Sequence, residues 1–120
     1  IKAIIMTASV SAHNGAEFPE YCASKGGVLA YTKNVALRVA KYGATCNSIS
    51  AGGVITELNA HILENKSLWD QVMAETLIPK WATVEEMAEW TYFLAVVNKS
   101  MTAQDVLIDN GEIAKANFVW

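Results

Sequence analysis

Tyr21 and Lys25 stand four residues apart at the start of an amphipathic stretch. On a helix that spacing puts both side chains on one face, with Cβ atoms about 5–6 Å apart. A free phenol titrates near ~10 and is a poor base at neutral pH. A cation one turn away favours the phenolate, so such a pair can exchange a proton with an alcohol or a ketone. Y-x-x-x-K alone carries little weight, because an ordinary exposed i,i+4 pair has the same spacing. Its neighbours add weight. The apolar, β-branched run Ile1 to Met6 leads into Thr7-Ala8-Ser9, and Ser9 precedes Tyr21 by twelve residues. A serine at a strand end either donates to an oxygen on which charge develops or caps the loop backbone.

The elements that must position these groups follow from periodicity and punctuation. Ile1 to Thr7 reads as a buried parallel strand, a short apolar run without polar alternation. Ala8 to Glu20, with Asn14-Gly15 and Pro19, reads as a loop. Tyr21 to Tyr42 is the strongest helix, with Val28, Tyr31, Val35, Val39 and Tyr42 stepping by three and four, and Gly43 stops it. Thr45 to Ser50 is a second strand, with Ala51-Gly52-Gly53 as the turn at its carboxyl end. Thr56 to Ile78 is expected to be helical with a break near Asn65-Lys66-Ser67. Thr83-x-x-Glu86 is a capping box opening a helix to about Val97. Asp105 to Asp109 is the last strand. Strands alternating with helices predict a parallel α/β sheet. Ligands of open α/β sheets bind beyond the carboxyl ends of the strands, where Ser9 and the Gly52-Gly53 turn both fall.

Four segments together resemble the short-chain dehydrogenase/reductase family: strand-serine-loop-Tyr21-x-x-x-Lys25; Asn47-Ser48-Ile49-Ser50-Ala51-Gly52-Gly53-Val54-Ile55-Thr56; Lys80 to Ala88; and Thr102-Ala103-Gln104 to Gly111. The resemblance covers nearly the whole chain and implies a Rossmann-like doubly wound fold. It implies a general base or acid at Tyr21, a Lys25 that assists it and holds the nicotinamide ribose, and a Ser9 that bonds the substrate oxygen. Gly52, Val54 and Thr56, with Tyr21 and Lys25, are the implied contacts to NAD or NADP. The implied reaction moves a hydride between that cofactor and a small secondary alcohol or ketone. The segment between Thr56 and Ile78 corresponds to the family's variable substrate lid.

The chain departs from the pattern at several points. The family's serine usually lies thirteen residues before the tyrosine, a position occupied here by Ala8. Either the loop is one residue shorter and Ser9 serves, or the serine is lost; the Thr7-Ala8-Ser9 triplet favours Ser9. Ala51 replaces a proline, Ala103 a glycine, and Asn110 the first glycine of D-G-G. Neither the family's glycine-rich T-G-x-x-x-G-x-G turn nor its N-A-G segment is present. The 120 residues therefore read as the catalytic C-terminal half of such a domain, without the βαβ units that cradle the adenosine, so NAD and NADP are not distinguished.

Composition narrows the alternatives. Net charge is −3 and no basic stripe exists, which argues against nucleic acid. No apolar run approaches the ~20 residues of a membrane span. Ile1 to Met6 lacks a cleavage pattern after it and reads as strand, not signal peptide. Cys22 and Cys46 lack metal-ligand spacing and read as buried, reduced thiols in a cytosolic protein. The N-x-S sequons at Asn65 and Asn98 read as chance. His13 and His61 are isolated, and His13 reads as a solvated loop residue near the substrate entry. Trp69, Trp81, Trp90 and Trp120 read as core or interface anchors. A hydrophobic content of 52% is high for a domain of this size and points to surface meant for partners. Two expectations result: an oxidoreductase that is a homo-oligomer or complements a missing N-terminal half, or an inactive half-domain. The latter would self-associate through the Tyr21–Tyr42 helix and the apolar tail, Ile113 to Trp120.

Overall fold

The computed structural model describes residues 2–115. Three parallel strands lie in the order β1 (Ala3–Thr7), β2 (Thr45–Ala51), β3 (Asp105–Ile108). Ala3 pairs with Thr45 and Thr7 with Ile49; Ser48 pairs with Asp105 and Ala51 with Ile108. Central β2 is closed on both edges, and Cys46 to Ser50 are all buried. β1 was expected to be buried but is only half so, with Ile4 38% exposed. Among the described residues it pairs with β2 alone, which leaves its other edge open.

The segment expected as a loop after β1 holds a short helix, α1 (Ser11–Asn14), ended by Gly15 at φ 67°. Four residues do not form a stable helix alone, so tertiary contacts must hold it. The long helix α2 (Pro19–Val39) starts two residues before Tyr21, with proline in its first turn, where a missing N–H costs nothing. It tightens into a 3₁₀ turn at Ala40–Tyr42 and ends at Gly43, φ 68°. Its buried face is not the aromatic stripe read from spacing. Thr32 and Ala36 are buried, whereas Tyr31 and Tyr42 are exposed. α2 packs on β2, whose side chains are small, and small residues on the helix allow close approach.

Beyond β2 the chain makes a 3₁₀ turn (Glu57–Asn59) and two helices, α3 (Ala60–Leu63) and α4 (Lys66–Met73). The break falls at Asn65 as expected, because the Asn65 side chain caps α4 by accepting from the Leu68 N–H at 3.1 Å. α4 stops at Met73, and turns rather than helix lead to Ile78. The two ends of this excursion are stitched by a parallel bridge between Val54 and Ala82, with Ala82 N–H donating to Gly53 O and Ile55 N–H to Ala82 O. Trp69 of α4 meets Trp81 edge to face, centroids 5.4 Å apart.

α5 (Val84–Tyr92) opens with the expected capping box. The Glu86 carboxylate accepts from the Thr83 N–H, the Thr83 hydroxyl from the Glu86 N–H, and Lys80 pairs with the same carboxylate. The helix leaves through a π-type turn, Phe93–Val97, where Asn98 N–H reaches Phe93 O at 2.8 Å. Buried Asn47 then fixes the approach to β3, donating to Met101 O and accepting from the Gln104 N–H. Ala103, standing where the resembling family has glycine, is held at φ 60°, a left-handed geometry that costs an L-residue about 1–2 kcal/mol. Asn110 is at φ 53°, and asparagine tolerates that region better. No helix among the described residues is long and apolar enough to cross a membrane. The aromatic end of the tail, 116–120, lies outside the described residues.

Candidate active site

A cleft of about 570 Å³ opens at the carboxyl ends of β1 and β2. Ser9 comes to it directly off β1, pinned from both sides: Ala8 N–H donates to Ile49 O at 2.8 Å and Val10 N–H to Ala51 O at 3.1 Å. The second bond holds the turn where the family's proline is absent. Ser9 is 7% exposed, and its Oγ accepts the Ser11 N–H at 3.1 Å. A hydroxyl has one proton and two lone pairs. Because an N–H occupies a lone pair, the Ser9 proton remains for an oxygen in the cleft. Ala8, one residue earlier, lines the cleft with no hydroxyl to offer.

The first turns of α2 add to the lining. Tyr21 and Lys25 both line the cleft, and Tyr21 is 41% exposed. The Lys25 ammonium donates to Thr7 O, the last carbonyl of β1, at 3.0 Å, and lies 5.8 Å from the centre of the Tyr21 ring. The strand-end carbonyl thus holds the cation beside the phenol instead of leaving it in solvent. Gly52 and Val54 line the same cleft, whereas Thr56 does not. Thr56 lies on a neighbouring apolar groove with Ile55, Leu58 and Leu63, and its hydroxyl accepts from Asn59.

Glycine is required at the turn by close packing. A Cβ on Gly52 would come within 2.8 Å of the Asp109 Cβ, and one on Gly53 within 2.2 Å of the Trp81 indole. Several cleft residues escaped the sequence reading. Ser11, Thr76 and Trp81 line it, as do Glu17, Glu75 and Glu112. Burial, reinforced by the charges of Glu75 and Asp109, pushes the Glu112 carboxyl above its ordinary range. Nothing in the sequence marked Glu112 beyond its place after the Asp109-Asn110-Gly111 turn.

His13 also differs from expectation. Its Nε2 lies 2.7 Å from Asp105 Oδ2 and 3.2 Å from Ser50 Oγ, so it is a tethered helix residue and not a solvated loop one. The partner is in β3, far along the chain, and no local pattern reveals it. Among the described residues no His, Cys, Asp and Glu side chains gather as a metal site.

Parallel strands with a hydroxyl, a phenol and an ammonium at their carboxyl ends define a Rossmann-like α/β protein with a strand-end cleft. The comparisons name its family. A profile described as enoyl-(acyl carrier protein) reductase matches residues 2–112, and the chain belongs to the short-chain dehydrogenase/reductase family. The L-rhamnose 1-dehydrogenase (NADP(+)) of Thermoplasma acidophilum is 28% identical over 110 residues, 90% of this chain and 43% of that protein. The 3-oxoacyl-(acyl-carrier-protein) reductase FabG of Chlamydia pneumoniae is 32% identical over 111 residues, 90% of this chain and 44% of that protein. A solved 4-hydroxyisoleucine dehydrogenase mutant complexed with NADH and succinate superposes with TM-score 0.84 at 30% identity, covering 98% of this chain and 49% of that one. The chain thus spans under half the length of these curated relatives.

Proposed function

We propose that these residues are the catalytic half of an NAD(P)-dependent oxidoreductase acting on a secondary alcohol or ketone, with Ser9, Tyr21 and Lys25 as its reacting groups. The observation that carries the reading is that all three line one cleft at the carboxyl ends of β1 and β2. Family membership and the names of the relatives support the same class of reaction.

In this reading Ser9 donates its hydroxyl proton as a hydrogen bond to the substrate oxygen, stabilising charge there. Tyr21 takes the proton of an alcohol, or returns one to a ketone. Lys25 places a positive charge beside the phenol and offers its remaining N–H groups to a ribose. The residues fit the nicotinamide-ribose end of the cofactor: a cation, two hydroxyl side chains and the side-chain-free backbone of Gly52 meet in one cleft. Gly52, Val54, Tyr21 and Lys25 would hold that end. Thr56, which lines the neighbouring groove, would contribute only by turning toward this cleft. When bound, the nicotinamide supplies the hydride acceptor or donor. The adenosine end would rest on βαβ units contributed from outside this stretch of sequence.

Replacing Tyr21 by Phe tests the assignment. Turnover in the intact protein bearing these residues should fall by roughly 10²–10⁴-fold, the usual worth of a positioned acid or base. Nucleotide affinity should change little. Unaltered turnover would remove Tyr21 from the chemistry.

A second reading, an inactive half-domain that self-associates, is favoured by one feature. Leu37 of α2 is 79% exposed and Tyr31 58%, and the outer edge of β1 is unpaired among the described residues. Solution mass together with tryptophan quenching by NADH and NADPH separates the two readings. A stable oligomer of the 120-residue chain that ignores both nucleotides supports the second.

A further inference from the structure

We propose that His13 is a positioning residue for Ser9: its imidazole ties α1 to Asp105 and so keeps the Ser11 N–H on the Ser9 oxygen. The proposal rests on the reading of Ser9 as the donor to the substrate oxygen. Helix α1 is a single turn wrapped onto that serine. Ala12 N–H donates to Ser9 O at 3.0 Å, His13 N–H to Val10 O at 2.8 Å, and Ser11 N–H to Ser9 Oγ at 3.1 Å. A helix this short needs an external anchor, and His13 supplies one across the sheet.

The anchor is itself immobilised. Asp105 opens β3, and its Oδ1 accepts from Ser48 at 2.6 Å and from Ser50 at 2.9 Å, leaving Oδ2 for His13 at 2.7 Å. Ser48 and Ser50 are buried in β2, and the Asp105 side chain is only 17% exposed. Facing a carboxylate, Nε2 must carry a proton, and it does so whether the ring is neutral or charged. The same nitrogen faces both Asp105 and Ser50, so no Asp–His–Ser relay runs through this ring; a relay uses its two different nitrogens. The cluster therefore holds a backbone in place and generates no nucleophile. The cleft serine and the histidine that steadies it lie four residues apart, with the helix as the arm between them.

The test compares His13→Gln with His13→Asn in the intact protein. The two amides share chemistry but differ in reach: the Gln amide nitrogen falls near Nε2, the Asn one stops a bond short. His13→Gln should keep turnover close to that of the parent. His13→Asn should lower kcat by roughly tenfold, in line with small misplacements of a reacting group, and leave nucleotide binding by tryptophan quenching unchanged. Equal kcat values for the two variants would overturn the proposal, as would a loss confined to KM. Ser9→Ala separates the layers of the argument. If it leaves turnover intact, the role of Ser9 itself falls. If it cripples turnover while His13→Asn does not, only the positioning role falls.

Discussion

The two walls of the cleft are built on different principles. The Ser9–Tyr21–Lys25 wall is braced over long sequence separations: Ala8 and Val10 to β2, Lys25 to β1, and His13 to β3. The opposite wall, from Glu57 to Lys80, is made of short helices and turns: Asn65 caps α4 locally, and its long-range ties are the Trp69–Trp81 contact and, past α4, the bonds of the Leu77 and Ile78 N–H groups to Asn110 O. In the proposed reading the first wall carries the groups that meet a reacting atom, and such groups tolerate little displacement. The wall that shapes the rest of the pocket tolerates more. The contrast is one of stiffness, and it can be broken from either side.

The largest effect should come at the seam between the walls. Gly53→Ala drives a methyl into the Trp81 indole, at 2.2 Å before relaxation. Overpacking of that kind costs about 1–3 kcal/mol, to be read as a lowered denaturation midpoint. Because the seam joins both walls, turnover and substrate KM should worsen together. A Gly53→Ala protein as stable as the parent would mean that the lid shifts freely against β2.

A change confined to the softer wall should act more narrowly. Asn65→Ala removes the cap of α4 and should cost about 1 kcal/mol. Amide exchange should quicken in Lys66 to Met73, and substrate KM should rise while nucleotide affinity holds. If kcat fell as far as is expected for Tyr21→Phe, the walls would not differ in kind.

The smallest effect lies where the walls meet at Glu112. Burial and the neighbouring charges of Glu75 and Asp109 raise its folded-state value above the ordinary 4.5. The folded chain therefore binds this proton more tightly than the unfolded one. The associated stability is present below 4.5 and is lost as pH rises through the folded value. Glu112→Gln should raise the neutral-pH melting temperature by no more than ~2 °C and flatten its decline above pH 4.5. An unchanged pH profile would show that the carboxylate is fully hydrated.

What the sequence made legible divides along the same line. The three strands, Gly43, the Thr83–Glu86 box and the Asn65 break are written in neighbouring residues, and each was readable from propensity or capping chemistry. The i,i+4 rule put Tyr21 and Lys25 on one face and strand order put Ser9 at a strand end, but that the three share a site was implied only by the family resemblance. Features set by distant contacts were not legible. α1 is too short to announce itself, and the partner of His13 lies in another strand. The phase of α2 was misread because its core-facing residues, Thr32 and Ala36, are not the bulky ones. Glu112 and Trp81 enter the cleft only through the folding back of turns. Thr56, matched by motif, packs beside a different groove.

The Val54–Ala82 bridge carries a consequence for how such proteins diversify. It closes everything between into an insert whose two ports of attachment are fixed on the scaffold. Loop closure depends only weakly on length, so this insert can be exchanged wholesale, like a cassette, while the side chains carried by β1 and α2 stay where they are. One strand-end cleft can thereby be reshaped without rebuilding the sheet.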